Sequence, residues 1–348
     1  MSSSGSTALI RLASNPECEI LGAMAMQGGS ESRFYESVTG TLYDREFGER
    51  QSSRRRGSQF ENAAFAGDAR LLREALAGIV GLSPDKIMVR NFLDDFPGTK
   101  DDARIARLSR TRTILKASLE GGAPHLLIQP QLLIPTKPGQ RPYFFLAPDF
   151  MVWSAEHQCY VVGDLKSFVV RENEVEPSDL SRVRLQLGAQ SLALRHEYDR
   201  LDGSPRSPEI GLLVFSKPNG LRPHAPRVER IGGAIEAIRI GIRAYLEHRA
   251  RVLELGGANA PHSVTDDLNP HFRDSCLSGC VMAQWCRQQV TETAADLGDT
   301  AKNILGETAI SRMLDLMDGT APPKSSEERA FAEELQRIRD NIEAMRAA

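Results

Sequence analysis

The sequence contains no apolar run approaching the roughly 20 residues that a transmembrane helix needs, so no membrane span is expected in its 348 residues. Its first residues, MSSSGSTALIRLAS, lack a charged stretch followed by a long apolar one. No signal peptide is therefore expected, and a cytoplasmic location is. There is no Walker A motif and no GxGxxG, which argues against ATP or dinucleotide use, so any motor would be a separate protein. HExxH and GxSxG are missing too, which removes the zincin and serine-hydrolase readings. Internal repeats and long low-complexity segments are also absent. Neither sign of charge dominates. The net charge is -3, so nucleic-acid binding would have to rest on local patches. Two such patches are Arg54-Arg55-Arg56 and the segment 104–116, with Arg104, Arg107, Arg110, Arg112 and Lys116, although basic runs are commonly solvated faces. Only five cysteines occur. In a reducing compartment they are not a disulfide framework, but buried apolar residues or metal ligands.

What is present suffices for a folded core, since 41% of residues are hydrophobic and 26% charged. Residues 1–56 are rich in Ser, Gly and Arg and read as loops with short helices. Residues 57–80 show helical spacing with a possible break at Gly67-Asp68, and 101–120 form a basic helix ended by Gly121-Gly122. The texture then changes. Three strands are expected at His125–Pro135, Tyr143–Trp153 and Gln158–Phe168, followed by a helix over 178–201, a buried strand over 209–215 and a helix over about 229–255. A Gly/Pro/Asn-rich linker leads to a cysteine cluster at 276–286 and then to helices. The last of these opens on a capping box, Ser325 to Glu328. The order implies an α/β fold, a mixed central β-sheet flanked by helices, with helical N- and C-terminal extensions. Three regions follow: an extension over 1–56, a core over 57–255 and a cysteine-bearing helical region over 256–348.

The strongest chemical signal is Pro148-Asp149, followed after fourteen residues by Asp164-Leu165-Lys166. Asp149 and Asp164 fall in successive expected strands, so their carboxylates can converge. Asp164 and Lys166 are two apart and share one face of their strand. Two carboxylates can hold Mg²⁺ or Mn²⁺, since hard cations prefer oxygen ligands, and an adjacent lysine can position water or stabilise developing charge. A buried Asp–Lys ion pair beside an unrelated loop aspartate is the bland alternative. Against it stands the cost of placing charges in apolar strands.

An acid, Glu61, lies on the helix before the sheet, and the helix after Asp-Leu-Lys carries Gln186. In this order the residues resemble the RecB-like branch of the PD-(D/E)xK nucleases, with its restriction-endonuclease-like core. There an acid or histidine on a helix precedes a PD or GxxD, a (D/E)xK and a QxxxY helix. The resemblance implies that Asp149 and Asp164 are metal ligands, that Lys166 is the catalytic lysine, that Glu61 is a further ligand, and that Gln186 orients the lysine or the DNA backbone. Gln190 stands where the family has its tyrosine, and Glu61 where histidine is common among the exonucleases.

Cys276, Cys280 and Cys286 lie within eleven residues. Zinc and iron–sulfur sites usually need a fourth ligand; Cys18 can supply it, while Cys159 sits inside an expected strand. One early cysteine and three after the core resemble the iron–sulfur variants of this superfamily, among them CRISPR-associated adaptation nucleases and AddB-type nuclease domains. That resemblance implies a structural [4Fe–4S] cluster on Cys18, Cys276, Cys280 and Cys286. This chain has three residues between the first two of the trio where the family usually has two. A zinc site with four thiolates, one using His271, and unligated cysteines are the alternatives. Closing a loop of roughly 260 residues would constrain the unfolded chain strongly.

The expected function is a metal-dependent deoxyribonuclease, by the resemblance an exonuclease on ends or single strands, in DNA repair or anti-phage defence. Its expected partners are DNA and a separate protein such as a helicase or defence-complex subunit. The alternatives are an inactive DNA-binding or structural subunit and a zinc-binding interaction protein.

Overall fold

The computed structural model describes residues 6–27, 31–43, 51–98, 101–137, 140–167, 177–202, 204, 208–217, 221–273, 276, 280–288 and 310–347. Phe168, at the end of the third expected strand, and residues 289–309, read as helical, lie outside these. The chain divides into a larger unit (Met1–Pro16, Leu21–Ser30 and Glu49–Val264) and a smaller one (Glu17–Ile20, Glu31–Gly48 and Thr265–Ala348). Among the described residues no helix is long and apolar enough to cross a membrane.

The helices are α1 (Ser6–Ser14), α2 (Glu19–Gln27), α3 (Glu31–Thr39), α4 (Gln51–Val80), α5 (Phe92–Asp95), α6 (Asp101–Leu119), α7 (Pro177–Asp202), α8 (Gly232–Glu254), α9 (Ala283–Gln288), α10 (Ile310–Met317) and α11 (Ser326–Ala347). The strands are β1 (Val89–Asn91), β2 (Leu126–Ile128), β3 (Leu132–Lys137), β4 (Gln140–Leu146), β5 (Phe150–Ser154), β6 (Cys159–Lys166), β7 (Ile210–Phe215) and β8 (Arg227–Arg230).

The fold is α/β, with a mixed six-stranded sheet flanked by helices. Strand order is β1-β2-β5-β6-β7-β8, and β3 and β4 form a separate antiparallel hairpin. β6 is central, antiparallel to β5 and parallel to β7. All but its last residue, Lys166, is buried, as a strand covered on both faces should be. On one face Phe60, Leu72 and Leu76 of α4 pack on Ile128, Phe150, Val161, Leu165, Leu212 and Val214. On the other lies α7, whose Leu187 closes over Gly211. Truncating fully buried Phe150 to Ala should cost about 3–5 kcal/mol.

The expected elements are present with two kinds of correction. First, two of the expected strands are each two strands. The run 125–135 breaks after Ile128, where Gln129 adopts φ +52, so β2 joins the main sheet and β3 the hairpin. The run 143–153 breaks at Pro148-Asp149, dividing β4 from β5. Second, the helix expected from 229 begins at Gly232, because 227–230 form the edge strand β8. The break in α4 is where the sequence put it: Gly67 and Asp68 have positive φ (58 and 56), and so does Ala69 (52). Gly121 (φ +82) ends α6, with the Gly122 N–H donating to the Ala117 carbonyl. The N-terminal stretch is more than an extension. Leu9 and Leu12 of α1 are fully buried, and α1 runs so close to α8 that a Cβ on Gly241 would lie 2.8 Å from the Ala13 nitrogen.

Candidate active site

The β5–β6 pairing brings the two aspartates together. The ladder runs Ser154↔Cys159 to Phe150↔Gly163; one step further Asp149 would face Asp164. There the backbone pairing ends, and the Asp149 side chain takes over, Oδ2 accepting from the Leu165 N–H at 2.7 Å. Gly163 permits this register, since a Cβ there would fall 2.1 Å from the Phe150 ring. Asp149 is thus fixed to the backbone of the strand that carries Asp164 and Lys166.

Asp164 is fully buried. Its Oδ1 accepts from Gln186 Nε2 at 2.6 Å. Its Oδ2 lies 2.5 Å from Lys166 Nζ and, among the described residues, accepts no well-directed hydrogen bond. Lys166 Nζ also donates to Gln186 Oε1 at 3.3 Å. One amide on α7 therefore holds both the acid and the ammonium. Gln190, one helical turn on, is buried, and its Oε1 has no hydrogen-bond partner among the described residues.

Glu61, half-buried on α4, completes the group from the opposite layer. Burial, then the nearby Asp164 charge, raise its carboxyl above the usual range, with Lys166 opposing. Asp149 is raised well above its ordinary value by burial, then by Asp164 and Glu61, against Lys166 and the Leu165 N–H. For Lys166 burial pulls downward, but Asp164, Asp149 and Glu61 outweigh it, and the amine holds its proton more tightly than in water. The five residues singled out in the sequence, Glu61, Asp149, Asp164, Lys166 and Gln186, thus converge on one end of β6. Among the described residues no three or more His, Cys, Asp or Glu side chains are grouped so as to hold a metal ion.

The basic candidates fare differently. Arg107 is buried and donates to the Gly98 carbonyl. Arg104 pairs with Asp101, and Arg112 makes two hydrogen bonds to buried Glu197. Much of the basic face of α6 is therefore spent on holding the fold. Arg110 and Lys116 are exposed, as is Arg55, while the Arg54 side chain lies outside the described residues.

In the smaller unit, Cys18 lies between Glu17 and Glu19, and both flanking residues are bonded to the segment before Cys276. Glu19 Oε2 accepts from the Asn269 backbone and side chain, and Glu17 pairs with His271 (3.0 Å) and Arg273 (3.3 Å). The Arg273 N–H donates to Cys276 Sγ at 3.4 Å. The Cys286 thiol is pushed far up by burial, then by Cys18, Cys280 and Cys276. Cys18, Cys276 and Cys280 are therefore all within electrostatic reach of Cys286, and none of the four is in a disulfide. Cys159 is buried in β6, in the larger unit.

No protein-family model matches the chain, and no curated protein or solved structure matches it significantly. The sequence reading missed the Leu165 amide as the anchor of Asp149, which no residue type announces. It also missed Ser216, a buried serine whose backbone N–H donates to the Lys166 carbonyl and extends the β6–β7 pairing past the site.

Proposed function

We propose that the chain is a metal-dependent deoxyribonuclease with a restriction-endonuclease-like core of the PD-(D/E)xK type, and that Glu61, Asp149, Asp164, Lys166 and Gln186 form its active site. The observation that carries this is a charge imbalance. Among the described residues three carboxylates face a single ammonium, and if all ionise, two negative charges stay uncompensated in a largely buried group. An ion pair kept for stability would be balanced, because unpaired buried charge is costly. The raised carboxyl values of Glu61 and Asp149 are the physical sign of that imbalance.

One divalent ion balances it. Asp149, Asp164 and Glu61 present hard oxygen donors suited to Mg²⁺ or Mn²⁺, and the uncompensated negative charge of the group supports the fit. When bound, the ion supplies Lewis acidity to the scissile phosphate and acidifies water. The chain's own groups do the rest. Lys166 stays an ammonium, so it stabilises negative charge developing on the phosphate rather than acting as a base. Gln186 holds Lys166 and Asp164 in register. The Leu165 amide fixes Asp149.

The four cysteines of the smaller unit would hold a [4Fe–4S] cluster as a structural staple between Cys18 and the 276–286 segment. Burial, then the neighbouring Cys18, Cys280 and Cys276, oppose ionisation of Cys286, and a bound cluster or zinc ion would reverse that. The visible spectrum of anaerobically purified protein separates the two, since only the cluster is coloured. The activity is tested with linear single- and double-stranded DNA plus Mg²⁺ or Mn²⁺. Cleavage that stops on chelation supports the reading, and no cleavage in either metal opposes it.

A further inference from the structure

The edge strand β8 carries the exposed residues Arg227 and Arg230 on either side of Val228 and Glu229, and Glu229 is buried (2% exposed). Two arginines meet on this carboxylate. Arg184 of α7 donates from Nε to Oε2 at 2.8 Å, with Nη2 also 2.8 Å away. Arg227 Nε lies against Oε1 in ion-pair contact. Both guanidinium side chains remain 42% exposed. One arginine would neutralise Glu229, and the second leaves the trio with a net positive charge. The contacts to Glu229 use only part of each fork, and the part-exposed remainder is placed to meet a ligand. Between Ser216 and Arg230 the only acid is Glu229, against Lys217, Arg222, Arg227 and Arg230, in a chain of net charge -3.

The trio also has a defined place. Asp164 pairs with Leu213, and Leu213 pairs with Arg227. Paired residues on neighbouring strands point to the same face, so Arg227 lies in the same cross-strand row as the central carboxylate, two strands or about 10 Å away. Arg184 is two residues before Gln186, about 3 Å along the α7 axis. A second buried glutamate with two arginines, Glu197 with Arg112 and Arg200, sits eleven residues beyond Gln186, about 16 Å along the same axis, and joins α6 to α7. Of these two trios, that of Glu229 lies nearer the active site, two strands from Asp164 in the same row.

We infer that Arg184 and Arg227, oriented by Glu229, clamp the phosphate backbone of the DNA strand next to the scissile position. This rests on the nuclease reading above. The arginine fork matches phosphate geometry bidentately. A buried carboxylate behind it fixes its direction, as supporting residues do in preorganised sites. The contact is with the backbone, so it positions the strand without reading sequence.

The test is DNA binding by the full-length protein in EDTA, where no cleavage intervenes. Fluorescence anisotropy of short labelled single-stranded and duplex DNA is followed across a salt series, with thermal melting as the folding check. Arg184→Ala and Arg227→Ala should each weaken binding several-fold. Each should also flatten the slope of log K against log salt by about 0.7–0.9 per lost contact. Arg227→Lys should keep the slope while losing affinity, because the charge survives and the fork does not. In turnover assays KM should rise with kcat nearly unchanged. Arg227 lies exposed on an edge strand, so it decides the matter even if Arg184→Ala folds poorly. Wild-type affinity and slope in folded Arg227→Ala, with wild-type protein binding and cleaving DNA, would overturn the clamp alone. Wild-type protein that neither binds nor cleaves DNA would overturn the clamp and the nuclease reading together.

Discussion

Leu165 donates its backbone N–H to Asp149 Oδ2 at 2.7 Å, and through this bond the carboxylate at the end of one strand is fixed to the backbone of the next. The bond stabilises the charged form of Asp149, yet burial and the neighbouring Asp164 and Glu61 leave its carboxyl raised. Asp149→Asn can still accept from Leu165 while removing the charge. It should abolish metal-dependent cleavage and stabilise the metal-free protein near neutral pH. A relief of about 1 kcal/mol would raise the Tm by roughly 2–4 °C. Parallel nuclease assays and melting curves in EDTA check both halves, and an unchanged cleavage rate would remove Asp149 from the site.

Gln186 touches both Asp164 and Lys166 and in the proposed nuclease is a positioning residue. Gln186→Ala should lower kcat by about 10–100-fold, the usual cost of losing a supporting group around a metal site. The KM for DNA should move little, because the amide holds the chemistry rather than the strand. A variant in which only KM changes would reassign Gln186 to backbone binding.

The raised carboxyl groups set a direction for pH. Between the ordinary carboxylate range and the raised values of Glu61 and Asp149, the folded protein binds more protons than the unfolded chain. Metal-free stability should therefore fall as pH rises through that interval. A divalent ion must displace the same protons, so its affinity should rise over the same interval. Melting curves from roughly pH 4 to 8, in EDTA and in Mg²⁺, should diverge as pH increases. Curves that stay parallel would show that metal does not compete at these groups.

Cys18 is held near Cys276 by the contacts of Glu17 and Glu19. Cys280→Ser should give colourless, destabilised protein if the thiolates hold a cluster. The visible absorption spectrum together with the melting temperature reads this out. Stable protein with full colour would take Cys280 out of the ligand set.

The grouping of these side chains was largely legible because they are polar intrusions in an apolar context. Asp164 and Lys166 interrupt a strand of buried residues, Cys159–Lys166, and desolvation makes such intrusions expensive enough to be informative. The positive-φ break at Gly67-Asp68 and the Gly121-Gly122 stop were readable from glycine chemistry. The α11 cap was readable too: the Glu328 N–H donates to Ser325 Oγ at 3.0 Å.

What was not legible depended on partners remote in the chain. The runs 125–135 and 143–153 do carry breaks, at Gln129-Pro130-Gln131 and Pro148-Asp149, but nothing local says that the strands on either side join different sheets. β1 has three residues, too few for periodicity. β8 buries only Glu229, so its pattern is the reverse of an amphipathic strand. The basic face of α6 looked solvated, yet Arg107 turns inward because the Gly98 carbonyl, nine residues back, needs a donor.

The most direct measurement is the cleavage rate of folded Lys166→Ala on linear DNA with Mg²⁺ or Mn²⁺, beside the wild type. Lys166 is the one cation among three carboxylates in this group, and Gln186 holds it against Asp164. The account predicts metal-dependent cleavage by the wild type and none above background by the variant, with an unchanged circular-dichroism spectrum. A folded Lys166→Ala protein that cleaves at the wild-type rate would contradict it.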